Sequence, residues 1–230
     1  MGIAEKLSEL NDKISQKAIA CGREPKEIKL IAVSKTKPVS MIEEAIACSI
    51  RDFGENRPQE LAEKYQQIPN VNWHLIGQLQ RNKVRHIIDK TELIHSVDSY
   101  ALAEEIEKRA SMVSKVQKIL IQVNISGEEG KSGVGPEDAV ELCKKISQLP
   151  HISIQGLMTI SVAGLDYDGN YEIFSRLRQL AETIKELNID GVEMKELSMG
   201  MTHDYEAAIA AGATLLRVGS GIFGSRNYVD

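Results

Sequence analysis

The sequence predicts an α/β protein built as a single (β/α)8 barrel. Short apolar runs rich in β-branched residues alternate with amphipathic helical patterns, and this alternation is typical of a parallel sheet covered by helices. Eight such runs occur within 230 residues, and a closed eight-stranded barrel usually takes about 250 residues. An open doubly wound sheet is the alternative, but it usually has fewer strands and a visible edge strand. We therefore expect one domain over residues 1–230.

The predicted elements follow one another without a linker. An extra N-terminal helix, Ile3–Cys21, precedes the first strand. The predicted strands are Ile28–Lys35, Asp52–Glu55, Asn72–Gly77, Leu93–Val97, Lys118–Asn124, Ile152–Thr159, Met194–Ser198 and Leu215–Gly219. The predicted helices between them are Ser40–Cys48, Arg57–Gln67, the weakly patterned Arg81–Ile88, Tyr100–Ser111, Pro136–Gln148, Tyr171–Leu187 and His203–Ala211. Pro58 and Pro136 stand where helices begin, a position that proline favours because its missing N–H needs no partner there.

The composition excludes several classes of function. The chain carries 28 Lys and Arg against 33 Asp and Glu residues, a formal net charge of −5. Nucleic-acid binding needs clustered basic residues, so no such partner is expected. No apolar stretch approaches the ~20 residues of a membrane helix, and the mixed-charge N-terminus is not typical of a signal peptide. Cys21, Cys48 and Cys143 are expected to be buried thiols in a reducing compartment, with neither a disulfide nor a metal site.

Lys35 is the first candidate for chemistry, because functional residues of these barrels lie where strands end. Strand alternation puts Ile31, Val33 and Lys35 on one face, which is the interior in a barrel. Desolvation there favours a neutral amine, the form that reacts with an aldehyde to give a Schiff base. The alternative is that Lys35 lies on a solvated loop before Pro38.

The last strand and the loop after it are candidates for binding an anion. Gly219, Gly221 and Gly224 let backbone N–H groups approach a ligand, and barrels commonly bind phosphate after strands 7 and 8. Arg217 shares a strand face with Leu215 and should enter the barrel. A tight turn also explains the glycines, whereas an arginine within the strand is harder to explain structurally.

The loop after the seventh strand is a second candidate anion site. Ser198 adds a hydroxyl, and Thr202 is a plausible N-cap with Asp204 in the first turn of the next helix. An ordinary capped loop is the alternative.

Other polar residues lie at the ends of the second and third strands. Asn56 can present an amide to a ligand oxygen. Trp73 and His74 point to opposite faces, and a histidine on a barrel strand is more often a satisfied core group than a catalyst. Three basic residues follow the third strand: Arg81, Lys83 and Arg85. They fit a basic patch and a solvated helix face equally well.

Six segments match one known family in order over nearly the whole chain: Ala32–Pro38, Phe53–Asn56, Trp73–Lys83, Gly156–Met158, Leu197–Met201 and Arg217–Gly224. They resemble the YggS/PROSC family of pyridoxal-phosphate homeostasis proteins. The resemblance implies a fold-type III barrel, like the N-terminal domain of alanine racemase, with pyridoxal 5'-phosphate (PLP) at its mouth.

The resemblance also implies roles for particular residues. Lys35 would be the Schiff-base lysine, Arg217 would face the pyridine nitrogen and Asn56 would lie near the ring oxygen. The loop residues around the phosphate would be Ser198, Met199, Gly200, Gly219, Ser220 and Gly221. Thr202 and His203 depart from the family pattern of serine followed by a small or acidic residue.

The implied function is that of a PLP-binding protein in vitamin B6 and amino-acid balance. It would be a cytoplasmic monomer that holds PLP without evident turnover, with recipient PLP apoenzymes as possible partners. The alternative is a PLP-dependent amino-acid racemase, which needs a second proton-transfer group opposite the lysine. In alanine racemases that group is a tyrosine from a second domain of the partner subunit. The sequence ends at Asp230, so no such domain is expected, and the remaining candidates are Tyr205, His74 and His203.

Overall fold

Eight parallel strands close into a barrel in the computed structural model, which describes residues 2–128 and 130–224. The strands are β1 Lys29–Val33, β2 Asp52–Glu55, β3 Asn72–Leu75, β4 Leu93–Val97, β5 Gln117–Gln122, β6 Ile152–Met158, β7 Val192–Ser198 and β8 Leu215–Val218. They pair in sequence order, and β8 pairs with β1 so that Arg217 lies opposite Ile31. The predicted (β/α)8 class is therefore confirmed.

Helices cover the outside of the barrel. The α-helices are α1 Ile3–Ala20, α2 Val39–Ala47, α3 Pro58–Gln67, α4 Tyr100–Met112, α5 Pro136–Ile146, α6 Tyr167–Glu186, α7 Tyr205–Ala210 and α8 Ser220–Phe223. Short 3-10 helices occupy Pro25–Glu27 and Arg81–His86. The second of these joins β3 to β4, where the sequence pattern is weakest. Pro58 and Pro136 each begin a helix, as predicted.

The extra N-terminal helix completes the outer layer. Helix α1 packs against α2, α7 and the four-residue α8. Its buried side chains recur every three or four residues and form one apolar face: Ile3, Leu7, Leu10, Ile14 and Ala18.

The barrel interior holds a small apolar layer of its own. Five buried side chains from β1, β4, β5, β6 and β8 form it: Ile31, Leu93, Leu120, Met158 and Leu215. A larger apolar core contains residues of the strands and of the surrounding helices. Ile31 lies inside the barrel, as strand alternation predicts, so the same face of β1 leads toward Lys35.

Some element boundaries differ from the predictions because local hydrogen bonds form turns at the ends of the elements. Strand β1 ends at Val33, two residues before Lys35, and the backbone N–H of Lys37 bonds the Ser34 carbonyl at 3.0 Å. Helix α6 begins four residues earlier than predicted, since the Asp166 carboxylate accepts a 2.9 Å hydrogen bond from the Gly169 backbone in the first turn.

The three cysteines are unpaired. Cys143 is buried, and burial raises the pKa of its thiol to about 12. Cys21 and Cys48 are only half-buried, so the prediction that all three are buried is wrong for these two. Between residues 2 and 224, leaving out residue 129, no helix is both long and apolar enough to cross a membrane.

Candidate functional site

A cavity of about 370 Å³ opens at the carboxyl ends of the strands. This is the end of a (β/α)8 barrel that carries functional residues. The cavity is lined by Val33, Lys35, Thr36, Lys37, Asn56, Ile76, Ile160, Met201, Thr202, His203, Arg217, Gly219, Ser220 and Gly224. Two lysines, an arginine, a histidine, an amide and three hydroxyl-bearing residues therefore share one cavity with several apolar side chains.

The structure brings together five of the predicted site residues: Lys35, Asn56, Arg217, Gly219 and Ser220. It places four others outside the cavity lining: Ser198, Met199, Gly200 and Gly221. Met199 is buried in the apolar core, and the Ser198 hydroxyl is buried beneath Arg217. The loop after β7 lines the cavity through its later residues, Met201 to His203, and a role for Ser198, Met199 and Gly200 in binding the cofactor stays a prediction.

Gly200 has a packing role that explains its residue type. Its φ is +90°, and a Cβ there would stand 2.5 Å from the Cβ of Ala208. Only glycine fits both the left-handed backbone and the close approach of helix α7.

Thr202 joins the two loops and does not cap a helix. Helix α7 begins at Tyr205, after Asp204, so the predicted cap is wrong. The Thr202 hydroxyl oxygen lies 3.0 Å from the Ser220 hydroxyl and accepts a hydrogen bond from the Gly221 backbone N–H at 3.4 Å. Thr202 and Ser220 both line the cavity, so two hydroxyl groups meet at its rim. The cap interpretation followed from residue type alone, and it missed this contact across 18 positions.

The Lys35 turn rests on a buried ionic group, the Lys64 cluster, which consists of Ser34, Glu55, Glu60 and Lys64. The Lys64 ammonium donates to the Ser34 carbonyl at 2.7 Å, to Glu55 at 2.8 Å and to Glu60 at 2.7 Å. The Ser34 hydroxyl donates to the same Glu55 oxygen at 2.6 Å. These contacts hold the chain immediately before Lys35 by both its backbone and its side chain.

The same cluster also holds the residue after Lys35. The Thr36 backbone N–H donates to Glu60 at 2.6 Å, and Thr36 has a φ of +63°, a conformation that non-glycine residues seldom adopt. Burial raises the pKa of Glu55, although Lys64 opposes that shift. Its second carboxylate oxygen is buried without a hydrogen-bond partner. Sequence analysis missed Lys64 and Glu55, because a lysine and a glutamate near helix α3 resemble ordinary surface residues.

Arg217 lies at the base of the cavity and is 4% exposed. Its guanidinium donates to the Ser198 hydroxyl at 2.6 Å and to the Thr159 carbonyl at 2.9 Å. It forms no ion pair with any carboxylate of residues 2–128 or 130–224. Burial lowers the pKa of Arg217 to about 10, against the opposing effect of Asp204. A buried guanidinium without a carboxylate partner is suited to a ligand that offers a hydrogen-bond acceptor.

Two buried histidines lie beyond Arg217 in the barrel interior. His95 Nδ1 lies 2.8 Å from the Ser198 hydroxyl, and His95 Nε2 lies 3.0 Å from His74 Nδ1. His74 Nε2 lies 3.0 Å from the Asp52 carboxylate. His74 is therefore a core group whose two ring nitrogens are both hydrogen-bonded, as favoured from the sequence. His95 was missed, because nothing in its own strand sets it apart from a core residue.

The three candidates for a second proton-transfer group lie in different places. His203 is exposed and lines the cavity. Tyr205 is half-buried beside Lys13 of helix α1 and does not line it. His74 is buried within the barrel.

Asn56 reaches the cavity because Gly77 lets two backbone segments meet. A Cβ on Gly77 would stand 2.3 Å from the Asn56 carbonyl oxygen. Any larger residue at position 77 would displace the loop that carries Asn56.

Comparison with known proteins defines the class first and then the family. The model of the family described as "Alanine racemase, N-terminal domain" matches residues 12–227. The "Pyridoxal phosphate homeostasis protein" of Aquifex aeolicus is 41% identical over 231 residues, covering 99% of this chain and 100% of the relative. The protein of the same name from Pseudomonas aeruginosa is 40% identical, covering 98% of this chain and 96% of the relative. The chain belongs to the pyridoxal phosphate homeostasis protein family, within the alanine racemase N-terminal domain class.

Solved structures agree with this assignment. An unknown protein from Bifidobacterium adolescentis has a TM-score of 0.92 at 38% identity, covering 96% of this chain and 94% of that one. PipY of Synechococcus elongatus with PLP bound has a TM-score of 0.84 at 36% identity, covering 96% and 100%. Alanine racemase of Clostridium difficile has a TM-score of 0.73 at 15% identity, covering 96% and 58%, which is a likeness of fold alone.

Proposed function

We propose that this chain binds PLP in the cavity at the carboxyl ends of the strands and serves PLP homeostasis. The observation that carries the proposal is that Lys35 and Arg217, from opposite ends of the sequence, line one cavity of about 370 Å³. The cavity is within the usual size range for small-molecule sites. The names of the relatives and the PLP bound to PipY support the same proposal.

The residues of the cavity fit the four polar parts of PLP, which are the aldehyde, the ring nitrogen, the ring oxygen and the phosphate. When bound, PLP supplies an aldehyde that can condense with a lysine amine. Lys35 would be the residue that forms this Schiff base, and Arg217 would donate to the ring nitrogen. The hydroxyls of Thr202 and Ser220, with the backbone at Gly219, would hold the phosphate, and Asn56 would lie near the ring oxygen. Ser198 would act behind Arg217 and would not touch the phosphate.

Arg217 supports a holding role over a catalytic one. Its pKa of about 10 keeps the guanidinium charged at neutral pH. A permanent cation that donates to the ring nitrogen keeps that nitrogen unprotonated, which weakens the ring as an electron sink. Holding the cofactor requires no such electron withdrawal. We further propose that the protein is a cytoplasmic monomer that passes PLP to recipient apoenzymes.

The test is covalent capture at Lys35. The full chain is mixed with PLP, reduced with borohydride and digested, and the modified peptide is identified by mass spectrometry. We expect the label on Lys35 and loss of the yellow absorption band in Lys35→Ala. Lys37→Ala is the matched control, because Lys37 lines the same cavity two residues away. An unchanged spectrum in Lys35→Ala, or labelling of Lys37 in the unaltered protein, would contradict the assignment.

A racemase-like activity is the second candidate, because His203 lines the cavity and could transfer a proton there. The assay is the appearance of the opposite enantiomer of common amino acids with the PLP-loaded protein. Steady racemisation that is lost in both Lys35→Ala and His203→Gln would favour this candidate over holding alone.

A further inference from the structure

We propose that His74 and His95 are positioning residues for Arg217, linked to it through Ser198 by a chain of hydrogen bonds that ends at Asp52. This chain, the histidine chain, crosses the interior of the barrel and sets which guanidinium N–H groups remain for a ligand in the cavity. The positioning role rests on the proposed function, whereas the chain itself is a property of the protein without cofactor.

The chain consists of four consecutive hydrogen bonds. Arg217 Nη1 to Ser198 Oγ is 2.6 Å, and Ser198 Oγ to His95 Nδ1 is 2.8 Å. His95 Nε2 to His74 Nδ1 is 3.0 Å, and His74 Nε2 to the Asp52 carboxylate is 3.0 Å. Each ring nitrogen of both histidines is used once, so the chain has neither a gap nor a branch at the rings.

The two ends of the chain determine its direction. A guanidinium only donates hydrogen bonds, and an ionised carboxylate only accepts them. Burial raises the pKa of the Asp52 carboxyl, but the contacts with His74 and other neighbours outweigh burial and leave that pKa below its ordinary value. Asp52 is therefore ionised at neutral pH, and every proton between the two ends points from Arg217 toward Asp52.

Direction fixes the tautomer of each histidine. Ser198 is fully buried and accepts from Arg217, so its own hydroxyl proton must go to His95 Nδ1. His95 then carries its proton on Nε2 and donates to His74 Nδ1. His74 in turn carries its proton on Nε2 and donates to Asp52. The reverse orientation would leave the buried Ser198 hydroxyl without an acceptor among its two partners.

Burial supports a neutral chain between charged ends. His95 is 0% exposed and His74 is 1% exposed. Burial of the ring, together with the charge of Arg217, lowers the pKa of His95 well below its ordinary value. The ring is therefore neutral at physiological pH and remains able to accept the Ser198 proton.

The chain limits the freedom of the guanidinium. Nη1 is held by Ser198 and Nη2 by the Thr159 carbonyl, so two separate contacts define the plane of the group. Without His95, the Ser198 hydroxyl would lose its acceptor and could turn toward another one. Its lone pairs would then no longer be held toward Arg217, and the donors that line the cavity would lose their fixed orientation.

The first experiment measures the tautomers directly. Nitrogen-15 NMR of the full chain, with no PLP added, distinguishes protonated from unprotonated ring nitrogens. We expect His74 and His95 both to be neutral with the proton on Nε2. A proton on Nδ1 of His95, or a charged His95 ring at neutral pH, would overturn the chain. This result is independent of whether the protein binds PLP.

The second experiment measures the effect on bound cofactor. His95→Phe removes both hydrogen bonds of the ring, and we expect about tenfold weaker PLP binding in equilibrium dialysis, or about 1.4 kcal/mol, because the Arg217 donors lose their fixed orientation. His95→Asn places an amide oxygen near the position of Nδ1, so it should recover part of that loss. The absorption maximum of bound PLP should shift in His95→Phe, since the maximum reports on the environment of the ring.

The matched control is His151→Gln, which removes a histidine that bonds a different carboxylate, Glu107, at 2.6 Å. We expect wild-type binding and absorption in that variant. Binding within twofold of wild type and an unchanged absorption maximum in both His95 variants would overturn the positioning role. If His95→Phe fails to fold, His95→Asn and the NMR result decide. If the unaltered protein itself fails to bind PLP, the proposed function fails, and the NMR result still decides the chain.

Discussion

The Lys64 cluster and the histidine chain are both buried polar networks, but they place their charges differently. In the cluster, the Lys64 ammonium touches the Glu55 and Glu60 carboxylates directly, at 2.8 Å and 2.7 Å. In the chain, the charges of Arg217 and Asp52 are separated by a serine and two neutral histidines. The charge of Lys64 is thus compensated by direct contact with carboxylates, whereas the guanidinium of Arg217 touches no carboxylate of residues 2–128 and 130–224.

This difference indicates what each network does. A directly paired lysine is a structural group, because all three of its donors are used within the protein. Arg217 donates from Nη1 and Nη2 to neutral groups of the protein and forms no ion pair with a carboxylate of residues 2–128 and 130–224. We therefore expect the cluster to govern stability and the chain to govern the ligand.

The largest effect on stability should come from Lys64→Met. Removing the ammonium leaves the buried Glu55 carboxylate and the half-buried Glu60 carboxylate without their cation, and we expect the unfolding free energy to fall by about 3–5 kcal/mol. Urea denaturation measures the change. Lys118→Met is the control, because Lys118 pairs with Glu92 at 2.7 Å on an exposed surface and should lose less than about 1 kcal/mol. Equal losses of unfolding free energy in the two variants would contradict a structural role for the cluster.

Arg217→Gln should affect PLP binding more than it affects stability. It leaves only the neutral Ser198 hydroxyl and the Thr159 carbonyl without their donor, so we expect a loss of about 1–3 kcal/mol in unfolding free energy. PLP binding in equilibrium dialysis should weaken by about tenfold or more. The control is the exposed Arg57→Gln, which should retain PLP as the unaltered protein does. Unchanged PLP binding in Arg217→Gln would contradict the proposed contact between Arg217 and the ring nitrogen.

Acid should weaken the protein through the histidine chain. His95 has a lowered pKa in the folded state, so its contribution to stability is present above about pH 6.5 and is lost as pH falls below that value. The cause is that the unfolded chain takes up a proton that the buried ring does not. Asp52 acts with the same sign at lower pH, because its folded pKa is also lowered. We expect unfolding free energy to fall by at most about 1.4 kcal/mol per pH unit from His95.

The measurement is urea denaturation at several values from about pH 8 to about pH 5. His95→Asn should flatten the decline relative to the unaltered protein, while the control His151→Gln should keep it. A decline of the same slope in His95→Asn would show that another group is responsible.

Asp52→Asn should have the smallest effect. The amide oxygen still accepts from His74, so the direction of the chain is preserved while the charge at its far end is lost. We expect PLP binding to weaken by less than about threefold, which corresponds to well under 1 kcal/mol. Equilibrium dialysis measures PLP binding in Asp52→Asn, and the loss of binding in His95→Phe is the reference for comparison. A loss as large as that of His95→Phe would show that the charge of Asp52, and not the continuity of the chain, holds Arg217.

Periodicity predicted the barrel and two of its principal site residues. Lys35 and Arg217 were found because each follows the interior face of a strand toward the cavity. Gly219 was a candidate because it belongs to the glycine-rich segment at the end of the last strand, whereas Ser220 was a candidate only through the family resemblance. The sequence did not reveal that Met199, in the loop after β7, packs into the apolar core, or that Thr202 accepts a hydrogen bond from the neighbouring loop. The boundaries of β1 and α7 were displaced by local turns that single residues do not reveal.

The networks were beyond sequence reasoning because their members are far apart along the chain. Ser198 lies 103 positions from His95, and Lys64 lies 30 positions from Ser34. A histidine or a lysine carries no sign of its partner in its own neighbourhood, so its burial and its charge state follow only from what surrounds it.

The sequence by itself determined the order of strands and helices, the face of each strand that turns inward and the family of the chain, because these depend on local periodicity and on residue type. Only the tertiary structure decided which inward-facing residues meet. Closing β8 onto β1 brings Arg217 opposite Ile31 and next to the Lys35 turn. Burial in the closed barrel then determines the histidine tautomers and the pKa values. It also leaves the Arg217 guanidinium, among the residues that line the cavity, available to a ligand.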